Sequence, residues 1–238
     1  MPTVFRVDFA GIDPRHVRAS GIHHLMSSWL CETPQEHVRT KPYAVGPRVD
    51  HDHGVSVTVR CLSDHAAALV AAMPAGTSVQ FGTTHPREAF IARAPERVAD
   101  VTWGDLADYR GTTRWRIEFL SPVCLRSGQI DQPWPEPYTI LRGLEDRWAL
   151  WGPPPEAPFT EAVSRRLHVT KADLRTVTTR LPPHPATAAE GTVEWTCSDA
   201  DAATTVERLL RFAEYAGVGS RTEHGLGVVR VSGRVPKP

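Results

Sequence analysis

The 238-residue chain has no apolar run long enough to cross a membrane and no apolar signal core at its N-terminus. Both absences predict a cytoplasmic protein with no membrane partner. It has no net charge either: 27 Lys and Arg balance 27 Asp and Glu. No global field draws it to a polyanion, so contact with nucleic acid must rest on local clusters. Cysteine is scarce and scattered, at Cys31, Cys61, Cys124 and Cys197 with no Cys-x-x-Cys pair. That argues against a zinc framework or a disulfide scaffold and for reduced thiols. No Gly-Lys-Ser or Gly-Lys-Thr tripeptide occurs, which removes the P-loop. Carboxylates and thiols are not clustered as in a catalytic metal site, so neither a metal nor an organic cofactor is expected. The apolar fraction of 41% is that of a globular protein with a sizeable core.

Glycine is concentrated near the end of the chain. Gly217-Val218-Gly219-Ser220-Arg221-Thr222-Glu223-His224-Gly225-Leu226-Gly227 holds two Gly-X-Gly pairs around a polar middle. Glycine reaches backbone angles closed to other residues, and successive amides in such a loop can point inward at an anion. Val206, Leu209, Leu210, Ala213 and Ala216 repeat at helical spacing before the loop, with Ser198 or Asp199 as the cap and Gly217 as the stop. Val228 to Val231 reads as a strand after it. Helix, loop, strand is the reverse of a dinucleotide fingerprint. An ordinary glycine-rich turn is the plainer reading.

The rest of the chain alternates strands and helices. Val4 to Phe9 and Val55 to Cys61 have strand periodicity, with a short extended run from Tyr43 to Val49 between them. Residues 20 to 31, capped by Ser20, and Ser63 to Met73 read as helices. Val79 to Arg93 is extended, interrupted at His85-Pro86, with a continuation or extra strand from Val98. The second half gives a strand from Thr113 to Leu120 and a helix carrying Ile140, Leu144, Trp148 and Trp151. A short helix from Phe159, a strand from Val169 to Leu181 kinked at Lys171 to Asp173, and a loop from Pro182 to Gly191 come next. The strand Thr192 to Cys197 leads into the glycine unit. Two successive βαββαβ orders predict an α+β chain of tandem ferredoxin-like, RRM-like domains, residues 1–108 and 109–238. Trp115, Trp134, Trp148 and Trp151 are expected in packing.

The glycine loop and the Phe212 to Ala216 segment before it resemble the C-terminal signature of the CRISPR-associated RNA-processing endoribonucleases of the RAMP superfamily. Phe119-Leu120-Ser121-Pro122 with Arg126 resembles that family's opening strand of the second domain, and Leu144 with Arg147-Trp148 its following helix. His37 to Tyr43 resembles the segment after its first helix. The resemblance implies two ferredoxin-like domains, binding of a CRISPR repeat RNA, and one metal-independent cut per repeat, leaving a 2′,3′-cyclic phosphate and a 5′-hydroxyl. It implies the repeat RNA or crRNA as partner, a CRISPR effector complex as a further one, and a monomer or homodimer.

Cleavage without metal uses the RNA's own 2′-hydroxyl on the adjacent phosphate. It needs a base for that proton, an acid for the leaving oxygen, and a cation for the added phosphate charge. Histidine suits both proton roles because it titrates near neutrality. The register implied by the resemblance puts His24, His37 and Lys41 in these roles, with His23 exchanged for His24 by a one-residue slip. His51-Asp52-His53 is a competing cluster that could bind a metal, or simply a polar hairpin turn. For phosphate contacts, Arg165, Arg166, Lys171, Arg175 and Arg180 fall within sixteen residues holding one acid. Arg221 and Arg230 flank the loop, and with Gly217, Gly219, Gly225 and Gly227 they complete the candidate RNA-binding set. A solvated face is the plainer reading of the basic run. A subunit that binds RNA through the same fold and loop without cutting it is the alternative function.

Overall fold

A computed structural model describes residues 1–31, 40–82, 86–128, 130–179, 181 and 185–234. They fall into two units, Met1–Val101 with Glu223–Gly225, and Thr102–Thr222 with Leu226–Pro238.

In the first unit, β1 (Thr3–Ala10) buries Phe5, Val7 and Phe9 on one face and turns Val4, Arg6 and Asp8 to the other. Helix α1 (Ala19–Leu30) lays Ile22, Leu25, Met26 and Leu30 on that buried face. Its N-cap is Arg18, which makes no side-chain cap bond, and Ser20 lies inside the first turn rather than capping it. The expected extended run after α1 is two short strands, β2 (Tyr43–Val45) and β3 (Val49–His51). Both pair with β4 (Gly54–Cys61), which pairs with the whole of β1. Helix α2 (Asp64–Ala71) is capped by Ser63, whose side chain accepts from Ala66 N. Val79 to Arg93, expected to be extended with an interruption at His85-Pro86, is a hairpin of β5 (Ser78–Phe81) and β6 (Arg87–Ile91), and Gly82 after β5 has φ 86°. β7 (Glu96–Asp100) pairs with Thr3 to Arg6 and β6 with Phe9 and Ala10. The fourth-strand place of the ferredoxin-like order is therefore shared by two strands.

The second unit opens with α3 (Trp103–Ala107), a short helix held by a Thr102–Asp105 capping box and absent from the sequence reading. β8 (Arg114–Val123) follows, burying Trp115, Ile117, Phe119 and Val123. It runs through Ser121-Pro122, where the sequence suggested an end. Proline needs no donor there, and its carbonyl accepts Gly227 N at 2.8 Å. A small hairpin of β9 (Leu125–Ser127) and β10 (Ile130–Gln132) precedes α4 (Pro137–Trp151), which has Pro137 in its first turn and Glu136 as cap. Then come α5 (Glu161–Ser164), β11 (Leu167–Thr179), β12 (Ala186–Cys197), α6 (Ala200–Ala216) and β13 (Val229–Arg234). The sheet order β11-β12-β8-β13, antiparallel throughout, is the ferredoxin-like arrangement. Each helical crossover joins strands that are parallel but not adjacent, and the third slides between them.

The kink in β11 is a register shift between Val169 and Lys171. The expected loop up to Gly191 ends earlier, and β12 continues through Gly191 at φ 127°. A Cβ on that residue would overlap the Asp173 carbonyl oxygen, so glycine here marks a close strand crossing, not a loop. Trp115 and Trp148 are buried as expected, whereas Trp134 is 51% exposed. No helix among the described residues is long and apolar enough to cross a membrane.

Candidate active site

The helical period decides which histidine of α1 faces inward. His23 and Ser27, four residues apart, share a face; His24, about 100° further round, is exposed. Tyr43, the first residue of β2, is fully buried beside that face. Its position is fixed by pairing with Cys61 and by the bond from Leu62 N to Pro42 O. The Tyr43 hydroxyl lies 2.8 Å from Ser27 Oγ and 3.3 Å from His23 Nδ1. Burial pushes the Tyr43 hydroxyl's pKa well above its usual value, so it stays protonated.

Glu223–Gly225 belong to the same unit, and they bring a second imidazole to His23. A single 3₁₀ turn, Thr222–His224, carries it. The His23 and His224 rings stack with centroids 4.1 Å apart and planes 27° from parallel. Glu223 Oε1 lies 3.3 Å from His224 Nδ1. Burial, then the neighbouring His224, lowers the His23 pKa to about 4, with Lys41 and His24 acting the same way and Glu223 opposing them. Glu223 itself falls to about 2, because its bond to His224, a backbone bond and the two imidazoles outweigh its burial. Lys41, half-buried two residues before Tyr43, is thus near enough for its charge to reach His23.

Of the candidates from the sequence, His23 and Lys41 meet in this cluster and His24 stands at its exposed edge. His37 lies outside the described residues, as does Arg180. The sequence reading singled out neither Tyr43 nor the Glu223-His224 pair as a site. The available signal was a histidine with an adjacent acid in the middle of a glycine loop.

His51-Asp52-His53 ends β3 and forms the two-residue turn into β4. His51 Nε2 is 2.6 Å from Ser56 Oγ, which donates to Asp8, and Arg93 Nε binds the other Asp8 oxygen at 2.5 Å. Among the described residues no group of three or more His, Cys, Asp or Glu converges as a metal site.

The loop's four glycines all have positive φ, between 71° and 89°, and Arg221 joins them at 61°. Their need for glycine is explained within the chain. A Cβ at Gly219 would overlap the Cys124 carbonyl oxygen, and one at Gly227 the Val218 carbonyl oxygen. Ser220 N bonds Cys124 O at 2.8 Å, and Val218 N bonds Gly227 O at 2.8 Å. Arg147 grips the end of α6 through Ala216 O at 2.5 Å and Thr222 Oγ1 at 2.6 Å. Around the loop and along β11 the candidate cations are partly matched by acids: Arg230 with Glu118 at 3.4 Å, Arg175 with Glu190 at 2.6 Å, and Arg165 with Glu161 at 2.8 Å. Arg166 and Lys171 are exposed.

Residues 117–229 match the family of CRISPR-associated Cas6 endoribonucleases. No curated protein matches the chain. Among solved structures, a Cas6 product complex is 22% identical with a TM-score of 0.80, over 97% of this chain and 99% of that one. A Cas6 substrate mimic complex is 22% identical with a TM-score of 0.76 over the same shares. Thermus thermophilus Cas6 is 20% identical with a TM-score of 0.70, over 98% of each chain. At these identities the likeness establishes the fold alone: tandem ferredoxin-like units.

Proposed function

We propose that the chain is a member of the CRISPR-associated Cas6 endoribonuclease family, whose model matches residues 117–229, and that it cuts precursor CRISPR RNA within each repeat to release guide RNAs. The reaction is metal-independent. The 2′-hydroxyl upstream of the cut attacks the adjacent phosphorus while a histidine of α1, His23 or His24, takes its proton. The P–O2′ bond forms, the P–O5′ bond breaks, and His37 protonates the leaving 5′-oxygen. Lys41 stabilises the extra charge on the five-coordinate phosphate. The products are a 2′,3′-cyclic phosphate and a 5′-hydroxyl.

The observation that carries this reading is the half-buried imidazole pair of the first unit with Lys41 beside it. One depressed histidine is available as a neutral base, and the cation lies within electrostatic range. The proposed acid, base and cation belong to residues 1–108, and the glycine loop, with Gly217, Gly219, Arg221, Gly225, Gly227 and Arg230, belongs with residues 109–238 as the proposed RNA-holding part, apart from His224, which joins the His23 cluster. Arg165, Arg166, Lys171 and Arg175 extend that surface along β11. The exposed Arg166 and Lys171 contribute most, because the others already face carboxylates.

Single-turnover cleavage of a repeat RNA tests this. His37→Ala leaves RNA affinity nearly intact and slows cleavage by ~10²- to 10⁴-fold. An RNA with a 2′-deoxy nucleotide upstream of the cut binds and stays whole. Cutting of that RNA overturns the chemistry, and binding without any cutting by the wild-type protein leaves the RNA-binding subunit as the function.

A further inference from the structure

We propose that His224, in the middle of the glycine loop, is a positioning residue for the cleavage reaction, clamping the His23 ring against Tyr43 so that His23, and not His24, takes the 2′-hydroxyl proton. The proposal rests on the nuclease reading above and adds to it a residue from the opposite end of the chain.

Three contacts define the clamp. His224 covers one face of the His23 ring, with centroids 4.1 Å apart. Tyr43 Oη meets the ring edge at Nδ1, 3.3 Å away, and is anchored by Ser27 Oγ at 2.8 Å. Glu223 Oε1 lies 3.3 Å from His224 Nδ1, an acid at the edge of the covering ring. A proton on His23 Nδ1 donates to Tyr43 Oη, whose own hydrogen goes to Ser27 Oγ. That chain leaves Nε2 with a lone pair, the form a general base requires. His24 is exposed and, among the described residues, no aromatic ring is found stacked on it. A base must be held within a fraction of an ångström of the proton it removes, which a clamped ring achieves and an exposed one does not.

The loop backbone supports the same assignment. His224 lies between Arg221 and Gly225, both at positive φ, so its ring is presented by a turn rather than by a regular element. Ala19, Ile22, Val45, Gly46, Pro47 and Arg48 complete a 180 Å³ pocket beside His224 and Gly225. The charged or titratable groups that act on His23 are His224 and Glu223 from the loop, Lys41 from the segment entering β2 and His24 on α1 itself, with the Tyr43 hydroxyl at the ring edge. Burial first, then His224, Lys41 and His24, against the opposing Glu223, hold its pKa at about 4, so the ring is neutral near pH 7.

The test uses the full chain with His224→Ala, and His224→Gln as a second variant should alanine unfold the loop. Two readouts are taken: the titration of the His23 ring by NMR in the free protein, and the pH profile of single-turnover cleavage. In the variant the His23 midpoint rises from about 4 towards 6.5, and the acid limb of the rate profile moves up with it. The rate at neutral pH falls about 10²-fold, as for a reacting group displaced by about 1 Å, while RNA affinity holds. His224→Phe, which restores a stacked ring, recovers part of the rate. A purely structural residue would change stability and leave the limb in place. A His23 midpoint unmoved by His224→Ala overturns the clamp whether or not RNA is cut, as does a larger rate loss in His24→Ala than in His23→Ala. Failure of the wild-type protein to cut any repeat RNA overturns instead the nuclease reading on which the proposal rests.

Discussion

At the scale of single residues, the chemistry depends on which face of a helix a side chain occupies. His23 and His24 are adjacent in sequence, yet one is packed against an imidazole and a phenol and the other meets water. That difference has a consequence for stability as well as for proton transfer. The His23 pKa is about 4 in the folded protein against an ordinary 6.5, so below 6.5 the unfolded chain binds more protons than the folded one. Stability is full above pH 6.5 and falls as the pH drops from 6.5 to about 4. Glu223 adds a second loss from 4.5 down to about 2, because its ionised form is the one the fold favours. His23→Gln is therefore expected to flatten the decline of Tm between pH 6.5 and 4 while leaving the lower step. Thermal melts across that range check it, and identical slopes in the two proteins reject it.

At the scale of elements, the glycine loop is held by its own chain before any ligand arrives. Four positive-φ glycines, a bridge from Ser220 to Cys124 and the grip of Arg147 on the end of α6 fix its path. The glycines are not equivalent. Gly219→Ala meets both an unfavourable φ of 79° and the Cys124 carbonyl, and is expected to cost ~3 kcal/mol. Gly225→Ala meets only the angle, with its nearest atom, Gly46 O, 3.5 Å away, and is expected to cost ~1–2 kcal/mol. Denaturant unfolding of both variants gives the comparison, and equal costs would remove the overlap argument. Gly225 also neighbours His224, so its alanine variant is the one expected to slow cleavage by more than its stability loss explains.

At the scale of the whole molecule, the absence of net charge bears on how the proposed RNA substrate is met. With 27 basic and 27 acidic groups and several candidate cations already matched by carboxylates, affinity rests on a few local phosphate contacts. The proposed cut draws its base, its acid and its cation from side chains of the chain itself. Cleavage is then expected to continue at an undiminished rate in excess EDTA. Loss of activity on chelation, restored by a divalent ion, would move the chemistry to a metal and reject the histidine mechanism.

Much of this was legible in the sequence. Alternation gave β1 and β4, the apolar stripe gave α1 and α6, and Asp199 and Gly217 marked the ends of α6, because periodicity and capping are local properties of the chain. The glycine loop announced itself by composition, and strand and helix order alone led to tandem ferredoxin-like units. The sequence misjudged places where a distant backbone sets the conformation. Gly191 read as the end of a loop but lies within β12, against the Asp173 carbonyl. Pro122 read as a stop, but its carbonyl serves Gly227. Val79 to Arg93 read as an extended stretch interrupted at His85-Pro86, and its two parts pair with each other as a hairpin. The candidate site cluster belongs to the same class. His23 and His224 are separated by 200 residues, and no spacing rule joins them. Only the tertiary structure could pair them, because a stack of rings is a contact between surfaces, and sequence periodicity reports only which way each surface faces.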